Sequence, residues 1–185
     1  MLLVLTVLTG LIYPGLVTAL SQGFFKHEAN GSLVLRNGQV LGSELIGQNF
    51  KRPEYFHPRP SYAGANGYDA SNSGASNLGP TSQKLISRIR AAIEAFQKEN
   101  PDFHGPIPAD LLTSSGSGLD PHLSPASAAA QAPRIARLRG VARTEIESLV
   151  LSHIQHPDLG LLGDHRVNVL LLNIALDERF PVKKP

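Results

Sequence analysis

The sequence predicts an α+β protein. One N-terminal transmembrane helix, residues 1–23, leads into a single mixed α/β soluble domain, residues 24–185. Three observations carry this expectation. The chain opens on a long uncharged apolar stretch; an Asn-Gly turn sits between two short β-rich runs; and apolar residues recur at helical spacing further on.

Met1 to Gly23 carry no charged side chain, and the first appears at Lys26. About 20 helical residues at 1.5 Å rise cover roughly 30 Å, the thickness of a bilayer hydrocarbon core. Gly10, Tyr13, Pro14 and Gly15 lie inside this run. Glycine and proline weaken a soluble helix, but small residues let membrane helices approach closely. These four positions are therefore the expected packing face against partner helices. A cleaved signal peptide is the rival reading, with Val17-x-Ala19 as its cleavage site. Against it stand the missing positive n-region and a stretch long for an h-region. A buried soluble helix, which normally keeps one polar side, fits less well.

Beyond Lys26, Ser32 to Leu35 and Gln39 to Gly42 flank Arg36-Asn37-Gly38, the signature of a hairpin. Leu45, Ile46 and Phe50 fit a short helix or a strand equally. Lys51 to Pro80 is irregular, and a loop of that length is usually functional or disordered. Leu85, Ile86, Ile89, Ala92, Ile93 and Phe96 share one helical face, which Asn100-Pro101 ends. Ser124-Pro125 reads as an N-cap with proline at the first helical position. The helix after it runs towards Gly140, with a break or kink expected at Pro133. Thr144-x-x-Glu147 reads as a capping box. It opens a helix whose stripe is Ile146, Leu149, Val150 and Ile154, closed by His156-Pro157. Val167 to Leu172 has the character of a buried strand.

Composition narrows the function. The 185 residues include no cysteine, which removes thiolate metal sites, cysteine nucleophiles and disulfides. A net charge of +2 without a dense Lys/Arg block argues against nucleic-acid binding. Neither a P-loop nor a G-x-S-x-G elbow is present. Asp120, His122 and the serines from Ser114 to Ser117 supply triad residue types, but Asp120 and His122 are nearly adjacent, so a structured turn is the better account. Were this an exported hydrolase, the Ser114 to His122 loop would carry it. His153, His156, Asp158, Asp164 and His165 have residue types that bind divalent ions; Pro157 interrupts their helix, and no metal site is expected. Arg134, Arg137, Arg139 and Arg143 form the densest basic cluster, expected as a solvated surface or as a docking face for an acidic partner. Gln131 offers both donor and acceptor beside it.

Several blocks occur together in order. They are Thr9-Gly10-x-x-Tyr13-Pro14, Gly42-Ser43-x-Leu45-Ile46-Gly47-Gln48-x-Phe50 and Tyr55-Phe56-x-x-Arg59-Pro60-Ser61. Ser73-Gly74-x-Ser76-Asn77-x-Gly79-Pro80, Ser117-Gly118-Leu119-Asp120-Pro121-His122-x-Ser124-Pro125 and Val167-Asn168-Val169-Leu170-x-Leu172-Asn173-x-x-Leu176-Asp177 follow. Across nearly the whole chain they resemble the C subunit of the Kdp potassium-transporting P-type ATPase, the KdpC family. The resemblance implies a single-pass accessory subunit in the bacterial inner membrane, not itself an enzyme. Its implied partners are a catalytic P-type subunit, a channel-like potassium-binding subunit and a very small membrane peptide. Its implied role is that of a catalytic chaperone, raising the catalytic subunit's affinity for ATP in a transient ternary complex. ATP would be shared with that subunit, no cofactor would be tightly bound, and potassium would be the ion the complex transports. Gln131 and Arg134 are the candidates for nucleotide coupling, and Ser117, Gly118, Asp120 and His122 form the family-motif loop. The phosphorylation motif Asp-Lys-Thr-Gly is absent from the chain. Lys26, Arg36, Lys51 and Arg52 would draw the soluble domain to the cytoplasm by the positive-inside rule, which long domains often escape. The outer face is preferred, because Gly10, Pro14 and Gly15 suit a helix that transmits packing.

Overall fold

A computed structural model describes residues 1–182, so the last three residues of the expected 24–185 domain lie outside it. The chain forms two compact units, Met1–Leu45 and a second from Ile46 onward.

The first unit begins with helix α1 (Leu2–Phe24), 23 residues with mean hydropathy 2.0 and no residue of its apolar window buried in the chain. Length and composition suit a membrane crossing. Thr6 and Thr9 donate their hydroxyls to the carbonyls of Leu2 and Leu5, at 3.0 and 2.7 Å, which removes two unpaired donors from an apolar surrounding. From Leu8 to Ile12 the helix widens into a π turn, directly before Pro14. Proline lacks the N–H that would continue the α ladder, and the wide turn absorbs that loss. A one-turn helix α2 (Lys26–Ala29) follows, then strands β1 (Leu33–Arg36) and β2 (Gln39–Ser43). The strands pair antiparallel, Leu33 with Ser43 and Arg36 with Gln39. Asn37 and Gly38 both take positive φ, 52° and 77°, as the expected Asn-Gly hairpin turn requires.

The second unit contains helix α3 (Gln83–Glu99), strand β3 (His122–Leu123) and helices α4 (Pro125–Arg139) and α5 (Arg143–Ser152). Strands β4 (Ile154–Gln155) and β5 (Arg166–Asn168) and helix α6 (Val169–Arg179) complete it. The three strands form an antiparallel sheet in the order β3-β5-β4. The core joins Phe56 to Leu123, Ala128, Ala132 and Ile135 of the sheet and α4, Ile146 and Leu149 of α5, and Leu172 and Leu176 of α6. The α3 stripe is half-buried along its length, as its spacing predicted.

Four expectations are corrected. Helix α4 runs through Pro133 without a break. The missing proline N–H forfeits one hydrogen bond, while the buried neighbours Ala132, Arg134 and Ile135 hold both halves in line. Helix α5 is capped two residues earlier than Thr144: Glu145 accepts from the Ala142 N–H at 3.1 Å, and Glu147 instead pairs with Arg143 at 2.6 Å. Ile154 leaves the α5 stripe and joins β4, opposite Val167. The buried strand expected over Val167 to Leu172 stops at Asn168, whose side chain accepts from the Leu171 N–H at 3.1 Å and so caps α6. A short apolar run fits strand and helix alike, and the asparagine decides.

Candidate functional site

Four stretches of the second unit, around Gly47, Ser61, Gly74 and Gly118, come together as loops tied to one another by hydrogen bonds. Gly74 N–H donates to the Ser117 carbonyl at 2.8 Å, Ser73 Oγ to the same carbonyl at 2.9 Å, and Gly47 N–H to the Leu119 carbonyl at 2.8 Å. Ser61 Oγ is the central hydroxyl. It donates to the Gly118 carbonyl at 2.5 Å and accepts from the Tyr68 N–H at 2.8 Å and the Ala63 N–H at 3.2 Å. Gly118 has φ +68°, and a Cβ there would stand 2.5 Å from the Gly74 carbonyl oxygen and 2.8 Å from Ala63 N. Only glycine fits both the left-handed backbone and the close approach.

Asp120 anchors this junction. One carboxylate oxygen takes the Arg59 Nη1 at 2.9 Å; the other takes the His122 N–H at 2.9 Å and lies 3.6 Å from His122 Nδ1. Burial alone would raise this carboxyl, but the donors from His122 and Arg59 outweigh it and hold it below the usual carboxylate range. Arg59 Nη2 also reaches the Ser114 carbonyl at 3.3 Å. Tyr68 donates its hydroxyl to the Arg59 carbonyl, and burial first, then the Asp120 charge, drive the phenol well above its ordinary value. Ser117, Gly118, Asp120 and His122 are thus gathered in one place, and they lock loops together. Among the described residues no serine hydroxyl is bonded to the His122 ring, so the triad residue types are not assembled as a triad.

Beside this junction lies a cleft of about 440 Å³, within the range of small-molecule sites. Lys51, His57, Arg59, Tyr68, Glu99 and Gln131 border it. Its charges are mixed and its aromatic rings come from Phe50, Tyr68 and Phe96.

Gln131 and Arg134 are both 1% exposed. The Gln131 carbonyl oxygen accepts from the His57 N–H and from Arg134 Nη2, each at 2.8 Å. Its amide nitrogen returns to the His57 carbonyl at 3.0 Å and the Ser127 carbonyl at 3.4 Å. Arg134 donates to Asn100 Oδ1 at 2.9 Å and to the Pro53 carbonyl. Burial pushes its guanidinium down to about 10. The solvated arginine surface is therefore corrected. Arg134 and Arg139 point into the fold, because buried loop carbonyls need donors that the loops themselves lack. Arg139 binds Asp177 at 2.7 Å and the Phe180 carbonyl at 2.7 Å. Its Nε donates to the Glu54 carbonyl at 3.1 Å, its Nη2 has no hydrogen-bond partner among the described residues, and its guanidinium lies 5.0 Å from the Tyr55 ring centroid. Arg137 and Arg143 stay outside, paired with Asp102 and Glu147.

The histidines near the end of α5 separate. His153 Nδ1 lies 2.8 Å from the Leu149 carbonyl, while His156 and His165 meet edge to face at 4.9 Å. Among the described residues no three His, Asp or Glu groups gather at metal-binding spacing.

Sequence reasoning missed His57 and Asp110. His57 approaches Glu99 at 3.3 Å through Nδ1 and the Arg52 carbonyl at 3.1 Å through Nε2. Asp110 binds the Ser124 N–H at 2.8 Å and the hydroxyls of Ser124 and Ser127 at the start of α4. Only the Ser124-Pro125 cap signalled that a buried partner was needed there.

A family model described as "KdpC: K+-transporting ATPase, c chain" matches residues 1–178. The chain belongs to the KdpC family. A KdpC relative from Koribacter versatilis, named a potassium-transporting ATPase KdpC subunit, is 52% identical over 100% of this chain and 94% of its own length. KdpC proteins of the same name from Rhodospirillum rubrum and Myxococcus xanthus are 54% and 58% identical over 96% and 94% of the chain, covering 92% and 82% of their own. The KdpC match spans both compact units, α1 included.

Proposed function

We propose that this KdpC-family chain works as an accessory subunit of a potassium-transporting ATPase and raises the ATP affinity of that pump's catalytic subunit. The observation that carries the reading is the family match over residues 1–178, which takes in the apolar helix together with the folded unit. The chain itself performs no chemistry in this reading. Its partners are the catalytic P-type subunit, the channel-like potassium-binding subunit and the small membrane peptide, in the bacterial inner membrane. ATP is the catalytic subunit's ligand, and potassium is the cargo of the whole complex. Helix α1 holds the chain among partner helices through Gly10, Tyr13, Pro14 and Gly15; an added Cβ at Gly10 or Gly15 meets nothing within 4 Å among the described residues, so a partner backbone has room to approach. Gln131 and Arg134 act on nucleotide affinity by fixing the wall of the cleft, since their polar groups are engaged inward.

The test measures the pump's apparent KM for ATP with and without the full chain in mild detergent. A several-fold lower KM with the chain present is expected, and equal values refute the coupling. Gly10→Leu and Pro14→Leu should each lower recovery of the complex, and full recovery of both removes the packing role. The outer face of the membrane is our reading for the folded unit, and proteolysis in sealed vesicles of known sidedness decides it: cleavage from the periplasmic side supports it, protection overturns it.

A further inference from the structure

We propose that the tip between β4 and β5 is a hydrophobic plug that seats in an apolar, cation-rimmed socket on another subunit of the same ATPase. Three leucines crown this tip: Leu159, Leu161 and Leu162 are 90%, 87% and 62% exposed. Scattered exposed leucines are ordinary, but three within four residues concentrate apolar surface on one tight turn.

The tip is built rather than slack. Asp158 and Leu162 exchange backbone hydrogen bonds at 2.9 Å in each direction, Gly160 N–H donates to the Pro157 carbonyl at 3.0 Å, and Leu161 N–H to the Asp158 carbonyl at 3.2 Å. Leu159 holds φ +54°, a conformation that costs a branched side chain energy. The fold spends that energy on projecting an apolar group away from itself, which suits a shaped receptor.

The charges beside the tip choose between a protein and a lipid surface. Asp158 and the exposed Asp164 flank the leucines, and the nearby cation Arg166 is turned onto Asp158 at 3.6 Å. Membrane-surface elements place Lys and Arg beside their apolar residues and use Trp or Tyr at the interface. The segment from His156 to Arg166 has no lysine, no tyrosine and no tryptophan. With Arg166 set against Asp158, Asp164 leaves the tip net negative; anionic headgroups would repel that charge, whereas a protein socket with basic residues on its rim would attract it. This inference rests on the reading of the chain as a pump subunit, which supplies the partner.

The experiment places a benzophenone amino acid at position 161 of the full chain, expressed with the rest of the ATPase in bacterial membranes, and compares it with Leu159→Asn/Leu161→Ser/Leu162→Ser. Irradiation should yield an adduct with a pump subunit, and the triple variant, with an unchanged Tm, should lower the recovered complex at least tenfold. An adduct to lipid alone, an adduct to residues 33–41 of the same chain, or no adduct overturns the plug. Undiminished recovery of the triple variant overturns it as well. If the wild-type chain brings down no pump subunit, the subunit reading fails and the plug with it; if it does and position 161 stays unreacted, the plug alone fails.

Discussion

Replacing Gln131 with leucine keeps the side chain's bulk and removes every polar group at the junction between α4 and the loop around His57. Three close partners lose their counterpart, the His57 N–H, the His57 carbonyl and Arg134 Nη2, and the longer 3.4 Å contact to the Ser127 carbonyl goes with them. Leaving a buried donor or acceptor unmatched costs about 1–3 kcal/mol; the His57 backbone is only half-buried, and the buried Arg134 guanidinium keeps its bonds to Asn100 and the Pro53 carbonyl, so about 1 kcal/mol each is apt. The sum is about 3 kcal/mol. For a protein of this size about 1 kcal/mol moves Tm by roughly 2–4 °C, which gives a loss of roughly 6–12 °C. Calorimetry of the full chain in mild detergent reads this directly. Gln131→Glu retains the acceptor towards His57 N–H and Arg134 and should lose about half as much. A Gln131→Leu chain melting within about 2 °C of wild type would refute the inward role of this amide.

Gly118→Ala should destabilise by about 3 kcal/mol, from the left-handed backbone and from contacts that only backbone atoms could relieve; a guanidinium titration checks it, and a loss under about 1 kcal/mol would contradict the close approach. Stability should also fall in mild acid through His57. Burial first, and the Arg134 guanidinium second, hold its imidazole below its ordinary value despite Glu99 and the Arg52 carbonyl. The unfolded chain then binds the proton more readily, so this contribution is fully present above about pH 6.5 and is lost as pH falls through the folded value. Melting at pH 7.5 and 5.5 should show a smaller acid loss for His57→Gln than for wild type, and equal losses would exonerate the ring.

Much of this architecture was legible in the residues. The uncharged run before Lys26, Asn37-Gly38 and Ser124-Pro125 each have a local cause, and each forms as expected. The misplacements occur where tertiary partners decide. Arg134 and Arg139 carry the same charge as Arg137 and Arg143, and nothing nearby in sequence reveals that loop carbonyls from Pro53 and Glu54 wait for the first pair. Val169 to Leu172 is apolar enough for either element until Asn168 caps it. The loop junction was visible as quoted blocks, yet its geometry was not, since Ser61 reaches Gly118 and Arg59 reaches Asp120 across some 60 intervening residues.

The final helix has an effect on biosynthesis. Asn173 makes both hydrogen bonds to the Phe56 backbone, at 2.9 and 3.0 Å, and Asp177 takes the Tyr55 hydroxyl at 2.8 Å as well as Arg139. Those pairs bridge 117 and 122 positions. Closing such distant contacts is slow, because loop entropy is spent before they form. The segment around Tyr55 and Phe56 therefore leaves the ribosome long before its clasp exists. Translation must run past Asp177 before these clasps can close, and any product ending ahead of Asn173 emerges with the Phe56 N–H and carbonyl unmatched.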